Sequence, residues 1–271
     1  MAKSARCLLL NFTFARLASQ AQRGVITARA RPTEDFFGRN ANLASEVITV
    51  FSTFSSHAEL EQALLACDRC PLRADAIGPT SYNGTVDAPL AVVGEGPGGV
   101  EDEYGVPLVG PSGQLLDKAL GSVGVTRDRI YVTNIIKCRP KGNRTPTVEE
   151  GRVCALNWLD EELGLVKPKV IVALGGVALK YLLGPEARIT KDRGRWFDTK
   201  YGIPAIATYH PAYLLRLTGS DQVKAKWEVF YDLKAAVEKC QELAPGCELA
   251  SADRPDLLAM YESRRQERRK G

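Results

Sequence analysis

Three residues with side chains suited to hydrogen-bonding or acid–base chemistry occur at the ends of short apolar runs. They are Glu95, Asn134 and His210. A carboxylate can stabilise a cation, a side-chain amide can donate and accept hydrogen bonds together, and an imidazole can donate to a developing anion. If the apolar runs are parallel strands of one sheet, their carboxyl ends meet at one edge. We therefore expect these side chains to converge there on a ligand.

Each of these residues also has a purely structural interpretation. Glu95 could be a solvated loop acid, and His210 could be a histidine with satisfied bonds at a strand end. Their settings favour a site, because Glu95 lies in the glycine-rich turn Gly94–Gly99 and His210 lies in the sequence YHPAY. Asn134 could equally end its strand and cap a turn, and its position alone leaves both interpretations open.

The chain has seven cysteines, an odd number that disfavours a disulfide framework in a protein of this size. Cys67 and Cys70 form a CxxC pair, and a second pair, Cys138 and Cys154, lies farther along the chain. Four thiolates can hold a tetrahedral zinc ion or a four-iron cluster, and the residues alone do not choose between them. A redox dithiol fits less well, because the CxxC precedes the first expected strand. We expect the others to be unliganded thiols: Cys7, Cys240 and Cys247.

Four apolar runs predict the strands that position these residues. They are rich in valine, isoleucine and alanine, and helix-like stretches separate them, as in a parallel sheet buried on both faces. The runs are Leu90–Val93, Ile130–Ile136, Val170–Leu174 and Ile203–Tyr209. The pattern predicts an α/β protein of three layers (α/β/α), with helices on both faces of a short central parallel sheet.

Capping and breaking residues mark the expected helices. Thr147–Glu150 has the pattern of a capping box, and Pro168 stops the helix that begins there. Another helix follows Gly175 and ends near Gly184. Residues 221–239 predict an amphipathic helix with one apolar face, formed by Val223, Trp227, Phe230, Leu233 and Ala236.

Other side chains receive structural expectations. We expect four aromatic residues to lie in the core: Tyr131, Trp158, Trp196 and Trp227. The acidic run Glu101–Glu103 cannot direct three consecutive side chains at one ion, and we expect it to be a solvated loop face. His57 is expected at the surface.

Composition describes an ordinary globular chain. The 271 residues suit one large α/β domain or two small ones, and an apolar content of 45% predicts a sizeable core. A net charge of +4 permits nucleic-acid binding without arguing for it. No apolar run reaches membrane-spanning length, so we expect no membrane association. The cysteine usage favours a reducing compartment, which we take to be the cytoplasm.

The chain divides into three expected parts: residues 1–45 as a basic, disordered extension, residues 46–245 as a single domain, and residues 246–271 as a charged tail. The first 33 residues contain six Lys or Arg and no Asp or Glu, which resembles an organelle presequence. Nothing else in the sequence points to an organelle, and that interpretation is not favoured. We expect the protein to be a monomer.

Four stretches in the same order resemble one known family. They are CDRCPLRADAIG, VVGEGPGGVEDEYGVPLVGPSGQLLDKAL, YVTNIIKCRPKGNRTP and ATYHPAYLLR. Together with Cys154, they are similar in order and spacing to the iron–sulfur uracil-DNA glycosylases of the family 4 type, from about residue 63 to residue 239. A single turn such as GEGPG would be weak support, whereas several motifs in order are specific.

The resemblance implies a role for each matching residue. Cys67, Cys70, Cys138 and Cys154 would hold a structural [4Fe–4S] cluster, with zinc as the alternative. The resemblance makes Asn134 the uracil-reading residue and His210 the donor to the departing base, with Glu95 stabilising the sugar cation or positioning a water. The pocket wall would come from Gly94, Gly96, Gly98 and Leu108.

The implied reaction acts on uracil-containing DNA. A flipped uracil would be cut from its sugar to leave an abasic site, as in base excision repair. The loop after His210 would act as the wedge and phosphate contact, through Tyr213, Leu214, Leu215 and Arg216. We also assign Arg139, Lys141 and Arg144 to the DNA face.

Leu108 departs from the family pattern, which usually has phenylalanine there. Leucine offers no flat face for the base, so the sequence keeps open a non-catalytic or altered-specificity DNA-binding member of the same fold. A zinc-bound nucleotide-binding protein is a third interpretation. The place where a uracil-crosslinking relative carries a nucleophilic histidine reads GNRTPT, so covalent capture is not expected. No lysine is placed as a Schiff-base nucleophile, which predicts a monofunctional enzyme.

Overall fold

A computed structural model of the chain describes residues 52–252 and 257–268. The expected basic extension, residues 1–45, lies outside the described residues, as does Cys7.

Within the described residues, the sheet has six strands in the order β1-β3-β2-β4-β6-β5. The strands are β1 Asn83–Gly84, β2 Leu90–Gly94, β3 Tyr131–Asn134, β4 Val170–Leu174, β5 Trp196–Asp198 and β6 Pro204–Thr208. The central four are parallel and correspond to the four predicted runs. The two edge strands are antiparallel and were not predicted, because segments of two and three residues carry no hydrophobic period.

Helices surround this sheet in the described part of the chain. They are α1 His57–Leu65, α2 Leu72–Asp75, α3 Gly99–Tyr104, α4 Pro111–Ser122, α5 Val148–Cys154, α6 Asp160–Val166, α7 Gly175–Leu183, α8 Ile189–Asp192, α9 Pro211–Arg216, α10 Gly219–Leu243 and α11 Leu257–Arg268. Short 3-10 turns lie at Arg127–Arg129 and Lys141–Asn143, and a π-helical turn lies at Ala155–Leu159. None of the helices among the described residues has the length and apolar content to cross a membrane.

Two separate apolar clusters confirm the three-layer α/β/α arrangement. On one face of the sheet, Ala91 and Val93 of β2 pack in a cluster with residues of α1, α6 and α7. On the other face, Leu90 and Val92 pack in a cluster with residues of α4, α9 and α10. Successive residues of a strand point to opposite faces, so β2 contributes to both clusters and is buried throughout.

The predicted helix boundaries are also present. Thr147 accepts a hydrogen bond from the Glu150 amide (3.2 Å), and the Glu150 carboxylate accepts one from the Thr147 amide (2.8 Å), which completes the capping box. The helical segment that continues into α6 ends at Val166, before Pro168. The helix after β4 starts at Gly175 and ends at Leu183, where Gly184 follows.

The buried face of α10 differs from the predicted one. Leu233 and Ala236 are buried as expected, but Val223 and Trp227 are 55% and 56% exposed. The face that meets the sheet instead uses Ala225, Val229, Asp232 and Cys240. Small side chains let the helix approach the strands closely, whereas the large aromatic residues of this helix cluster on its outer side. Of the four aromatics expected in the core, Tyr131 and Trp158 are buried and Trp196 and Trp227 are exposed.

Two of the three acidic residues of the run in α3, Glu101 and Asp102, are buried rather than solvated, contrary to expectation. The Glu101 carboxylate accepts hydrogen bonds from the amides of Gly98 (3.2 Å), Val109 (3.1 Å) and Gly110 (2.8 Å). Asp102 is buried and accepts from the Ile77 amide (3.0 Å). These carboxylates therefore fix the course of the loop after β2. The sequence does not show this role, because the partners are backbone amides.

His57 is half-buried rather than at the surface. Its Nε2 lies 2.8 Å from the hydroxyl oxygen of the buried Tyr131, and its ring meets Tyr82 edge to face. Burial lowers the pKa of His57 below its ordinary value of 6.5. The histidine therefore attaches α1 to the sheet.

The C-terminal residues also differ from the expected charged tail, because α11 packs on the domain. Tyr261 is buried, and its hydroxyl oxygen accepts a hydrogen bond from the Asn83 side-chain amide (2.9 Å). Arg264 donates to the Tyr82 carbonyl (2.9 Å), and Arg265 forms an ion pair with Glu103. Two of the basic residues of the expected tail, Arg264 and Arg265, thus bond to the domain on the edge formed by β1.

The docking of α11 predicts a stability effect. Replacing Tyr261 with alanine removes a buried ring and should lower the free energy of unfolding by about 3 kcal/mol. Tyr261→Phe removes only the hydrogen bond and should cost about 1 kcal/mol. Urea unfolding of both variants measures the difference, and an unchanged free energy in Tyr261→Ala would mean that the helix is not docked in solution.

Candidate active site and cysteine cavity

The carboxyl ends of the parallel strands bring the predicted site residues to one edge of the sheet. Glu95 follows β2 directly, Asn134 ends β3, and His210 lies two residues after β6. Gly94 and Asn134 are register partners, and Leu174 pairs with Thr208 at the same edge. The three residues therefore lie at the same edge of the sheet, and their convergence on a ligand stays a prediction.

Gly94 makes room for the Asn134 side chain. A Cβ at Gly94 would lie 2.4 Å from the Asn134 carboxamide oxygen and 3.7 Å from a methyl carbon of Leu108. Real Cβ atoms do not approach other atoms as closely as the first of these distances. Any larger residue at Gly94 would therefore displace the Asn134 carboxamide from this position.

The carboxamide of Asn134 is the most unusual group in the site. Asn134 is 1% exposed, and both its Nδ2 and Oδ1 are buried without a hydrogen-bond partner from the described residues. Leaving a buried polar atom unpaired costs about 1–3 kcal/mol, so such groups are rare unless a ligand satisfies them. A ligand that presents one acceptor and one donor side by side would pair with both atoms.

Glu95 follows β2 at the same edge of the sheet and has a half-buried side chain. Burial raises the pKa of the Glu95 carboxyl above its usual range. The Glu95 carbonyl accepts a hydrogen bond from the Ile136 amide (3.1 Å), so its backbone is tied to the segment that follows Asn134. The backbone of Glu95 is thus fixed relative to the segment that carries Asn134.

His210 is held in one tautomer by α9. The residue caps that helix, and its Nδ1 accepts a hydrogen bond from the Ala212 amide (3.1 Å). Burial, reinforced by the nearby Arg216 cation, lowers the pKa of His210 to about 4. The imidazole is therefore neutral at pH 7, and because Nδ1 is an acceptor the proton is on Nε2, which is available as a donor.

Gly175 provides the space for His210. Its φ is +83°, and a Cβ there would lie 2.9 Å from the His210 Cβ. In the sequence, this glycine marks only the start of a helix. A glycine directly after a buried strand is the signal that indicates close backbone approach.

Leu108 has an uncommon backbone conformation. Its φ is +53°, in the left-handed region, and its side chain is 5% exposed. That conformation costs a bulky residue about 1–2 kcal/mol and is often found at functional sites. The loop carboxylate of Glu101 binds the amides of the next two residues, Val109 and Gly110, and helps to hold it.

The helix expected to contact DNA has an exposed and a buried side. Tyr213 and Leu215 are 39% and 49% exposed, and Arg216 is also exposed. Leu214 is 3% exposed and belongs to the core cluster, so its assignment to the DNA surface is wrong. In a helix one residue of each turn faces inward, and here that residue is Leu214.

The basic residues after β3 have different surroundings. Arg139 donates to the Asn143 carboxamide oxygen (2.7 Å) and lies beside Gly99, next to the Glu95 loop. Arg144 forms a two-bond ion pair with Glu150 (2.6 and 2.8 Å) and must leave it to meet a phosphate. Lys141 is exposed.

The four candidate ligand cysteines line one small pocket, with about 10 Å³ of free volume. They are Cys67, Cys70, Cys138 and Cys154. The apolar walls include Leu64 and Trp158, and the Lys137 amide donates to the Cys154 sulfur (3.3 Å). The π-helical turn follows Cys154 directly, and such turns often mark functional positions. Cys240 and Cys247 lie elsewhere, as free thiols.

The cavity suits a group larger than one ion. In residues 52–252 and 257–268, no three metal-binding side chains lie close enough to hold a single metal ion. Burial raises the pKa values of Cys138 and Cys154 to about 12, so these thiols are protonated unless a cationic group faces them. Four thiols around an enclosed apolar space are the donor set of a cuboidal iron–sulfur cluster.

Comparison with known proteins decides the family. The model of the uracil DNA glycosylase superfamily matches residues 81–234, more than half of the chain. The chain belongs to this superfamily. The matched segment includes the strand ends that bear Glu95, Asn134 and His210, and it includes Cys138 and Cys154 but not Cys67 and Cys70.

Superfamily members called type-4 uracil-DNA glycosylases are similar over most of their length. The protein from Thermotoga maritima is 38% identical over 174 residues, which cover 64% of this chain and 90% of the relative. The Pyrobaculum aerophilum protein is 39% identical over 165 residues, 58% of this chain and 84% of the relative. The Archaeoglobus fulgidus protein is 32% identical over 194 residues, 69% and 94% of the two chains. The resemblance stated from the motifs is confirmed.

The lowered pKa of His210 predicts a titration near pH 4. Between about pH 4 and 6.5 the unfolded chain binds more protons at this residue than the folded chain, so His210 lowers the folding stability as the pH falls through this range. NMR of the two histidine rings, assigned with a His57→Asn variant, measures the titration. A His210 pKa near 6.5 would contradict the buried, neutral imidazole.

Proposed function

We propose that this chain is a monofunctional uracil-DNA glycosylase that flips uracil out of DNA and hydrolyses its N-glycosidic bond. The observation that carries the proposal is the buried Asn134 carboxamide with two unpaired atoms, in a member of the uracil-DNA glycosylase superfamily. Relatives named for this activity are 32–39% identical, which supports it further. The product is an abasic site, the substrate of the next step of base excision repair.

Asn134 selects the base. Its Nδ2 donates to uracil O4 and its Oδ1 accepts from uracil N3–H, so one carboxamide satisfies both groups. Cytosine presents an amino donor and an unprotonated ring nitrogen in the same places and would leave two buried groups mismatched. Buried mismatches of this kind give the strongest discrimination that a binding site achieves.

His210 and Glu95 act on the two halves of the breaking bond. Negative charge develops on the departing uracil, and the neutral His210 donates to O2 through Nε2–H. A neutral imidazole can donate there without giving up its proton. Positive charge develops on the sugar, where the Glu95 carboxylate stabilises it or positions the attacking water.

No lysine of the described residues is proposed as a nucleophile. Lys137 is the nearest in sequence to Asn134, but it is 1% exposed and its ammonium is bonded to Glu162 and Thr133. The enzyme therefore leaves the DNA backbone intact.

The four cavity cysteines hold a [4Fe–4S] cluster. Bound there, the cluster joins the N-terminal segment of the domain to the sheet and supplies no redox step. Zinc remains the alternative metal, and the wide arrangement of the thiols favours the cluster.

DNA contacts come from α9 and from the turn after β3. Leu215 is the exposed apolar residue that can fill the space left by a flipped base, with Tyr213 and Arg216 at its sides. Arg139 is placed to meet phosphate, and Arg144 can do so after leaving Glu150. The free thiols suit a reducing compartment, and we propose a cytoplasmic monomer.

Base release from a labelled oligonucleotide with one uracil tests the reaction. Alkali should cut the treated strand at uracil only, and thymine and hypoxanthine should be untouched. Asn134→Ala and His210→Ala should lose at least about 100-fold in rate, since each removes a polar contact to the reacting base. Lys239→Ala, which removes only an ion pair with Glu242 near the end of α10, is the matched control.

A folded wild-type protein that binds the oligonucleotide without releasing any base would favour a second candidate, a non-catalytic DNA-binding member of the fold. The observation behind that candidate is Leu108, which lacks an aromatic face. Release at another base would instead indicate altered specificity.

Leu108→Phe should raise the rate of uracil release. Stacking of a base on an aromatic ring contributes about 1–3 kcal/mol, which corresponds to roughly a five- to hundredfold gain. Single-turnover rates measure it, with Leu108→Met as the control of similar volume. An equal gain in both variants would show that the ring face is not what limits the enzyme.

Serine substitutions test the metal centre. Each of Cys67, Cys70, Cys138 and Cys154, when changed to serine, should reduce bound iron, acid-labile sulfide and the brown colour. Cys247→Ser should keep all three. Zinc in place of iron in the protein purified without oxygen would select the alternative metal.

A further inference from the structure

A fully buried ion pair lies next to the base-reading residue. The Lys137 ammonium donates to both carboxylate oxygens of Glu162 (2.7 and 2.6 Å) and to the Thr133 hydroxyl oxygen (2.5 Å). The Thr133 hydroxyl in turn donates to Glu162 (2.8 Å). The side chains of Lys137 and Glu162 are 1% and 0% exposed. All three groups are therefore paired away from water.

Such a pair is a poor device for stability alone. Removing two charges from water costs several kcal/mol for each ion, and apolar pairs of similar volume are often as stable or more so. A buried ion pair can instead specify one conformation of the chain around it. For Lys137 and Glu162, the chain around the pair is the segment that contains Asn134.

The pair closes a short loop around Asn134. Thr133 and Lys137 are the first and last residues of the segment 133–137, and the lysine side chain returns to bond the threonine at the start of it. Glu162, from α6, holds both ends at once. Asn134 is the second residue of this segment, and its carboxamide has no partner among the described residues to orient it. Its direction is therefore set by the backbone that the pair fixes.

The same segment reaches the other parts of the site. The Ile135 amide donates to the Gly94 carbonyl (2.9 Å), and the Ile136 amide donates to the Glu95 carbonyl (3.1 Å). At its end the Lys137 amide donates to the Cys154 sulfur (3.3 Å), while the Lys137 carbonyl accepts from the Thr80 amide (2.7 Å). Movement of residue 137 would be transmitted to the base pocket and to the cysteine cavity.

We propose that Lys137 and Glu162 are positioning residues for base recognition: their ion pair fixes the segment 133–137 so that the Asn134 carboxamide points into the pocket. The proposal rests on the proposed uracil-excising function for its catalytic consequence. Neither side chain touches the base or DNA, because both are buried and bonded to each other. Their effect is on the geometry of Asn134 and, through Ile136, on the Glu95 loop.

A double variant separates positioning from stability. Lys137→Met with Glu162→Leu replaces the charges by apolar groups of similar length and leaves no unpaired ion. We expect it to fold, to keep its iron, and to bind DNA with an unchanged KM. Its kcat for uracil release should fall roughly 10- to 100-fold, the effect of a displacement of about 1 Å at a reacting group. Free uracil, the product, should inhibit it more weakly than it inhibits the wild type.

Asp160→Asn provides the matched control on the same helix. The hydrogen bonds of the Asp160 carboxylate go to Lys200, Tyr181 and Tyr201, and not to the segment around Asn134. This variant should lower the melting temperature while kcat and uracil inhibition stay at wild-type values.

Crystal structures of the wild type and of the double variant complete the test. A shifted Asn134 carboxamide supports the proposal, and wild-type placement of it overturns the proposal, as does a double variant with wild-type kcat and uracil inhibition. If the wild-type protein releases no uracil, the proposed function is wrong. The position of the Asn134 carboxamide in the two structures would still test the role of the ion pair.

Discussion

The unpaired carboxamide of Asn134 is the constraint on which the rest of the site depends. A buried amide without partners is unfavourable, so the fold must hold it in place by other means until a base arrives. The register of β2 and β3 puts it beside Gly94, where only a glycine leaves space. The amides of Ile135 and Ile136 donate to the carbonyls of Gly94 and Glu95, which keeps the register of the two chains beyond the end of β3. In the proposed function, the amide forms its missing hydrogen bonds only when the correct base binds, and the free energy gained then favours that base.

The metal site and the base pocket share one stretch of backbone. Asn134 ends β3 and Cys138 follows four residues later, so a cluster held by the cavity cysteines would restrain the segment that presents the amide. The other cavity cysteines come from the start of the domain and from the end of α5. A structural metal group can therefore matter for recognition without taking part in the reaction. A cluster bound at Cys138 would fix one end of the segment whose other end carries Asn134.

Sequence patterns predicted the features that repeat or that lie close together in the chain. The four central strands are continuous buried runs, and the capping box of α5 is local, so both could be read directly. The edge strands β1 and β5 are too short to show a period. The prediction of the buried face of α10 was wrong because two faces of this helix carry apolar residues. The face with small side chains is the one that packs against the sheet. The roles of Glu101 and of the pair Lys137 and Glu162 depend on partners distant in sequence or on backbone amides, which no spacing rule reveals.

The Leu108 side chain fills the volume at its position but has no aromatic face. Its left-handed backbone would be easier for glycine, yet the chain keeps a large side chain there and buries it between β2 and α4. Strain of this kind is often found at functional sites, and here it holds a large buried side chain beside Gly94. What leucine lacks is the flat face that stacks on a base. In the proposed function, Asn134 selects the base through hydrogen bonds at the base edge and does not need that face. The proposal therefore assigns the discrimination between bases to Asn134 and the speed of release to Leu108.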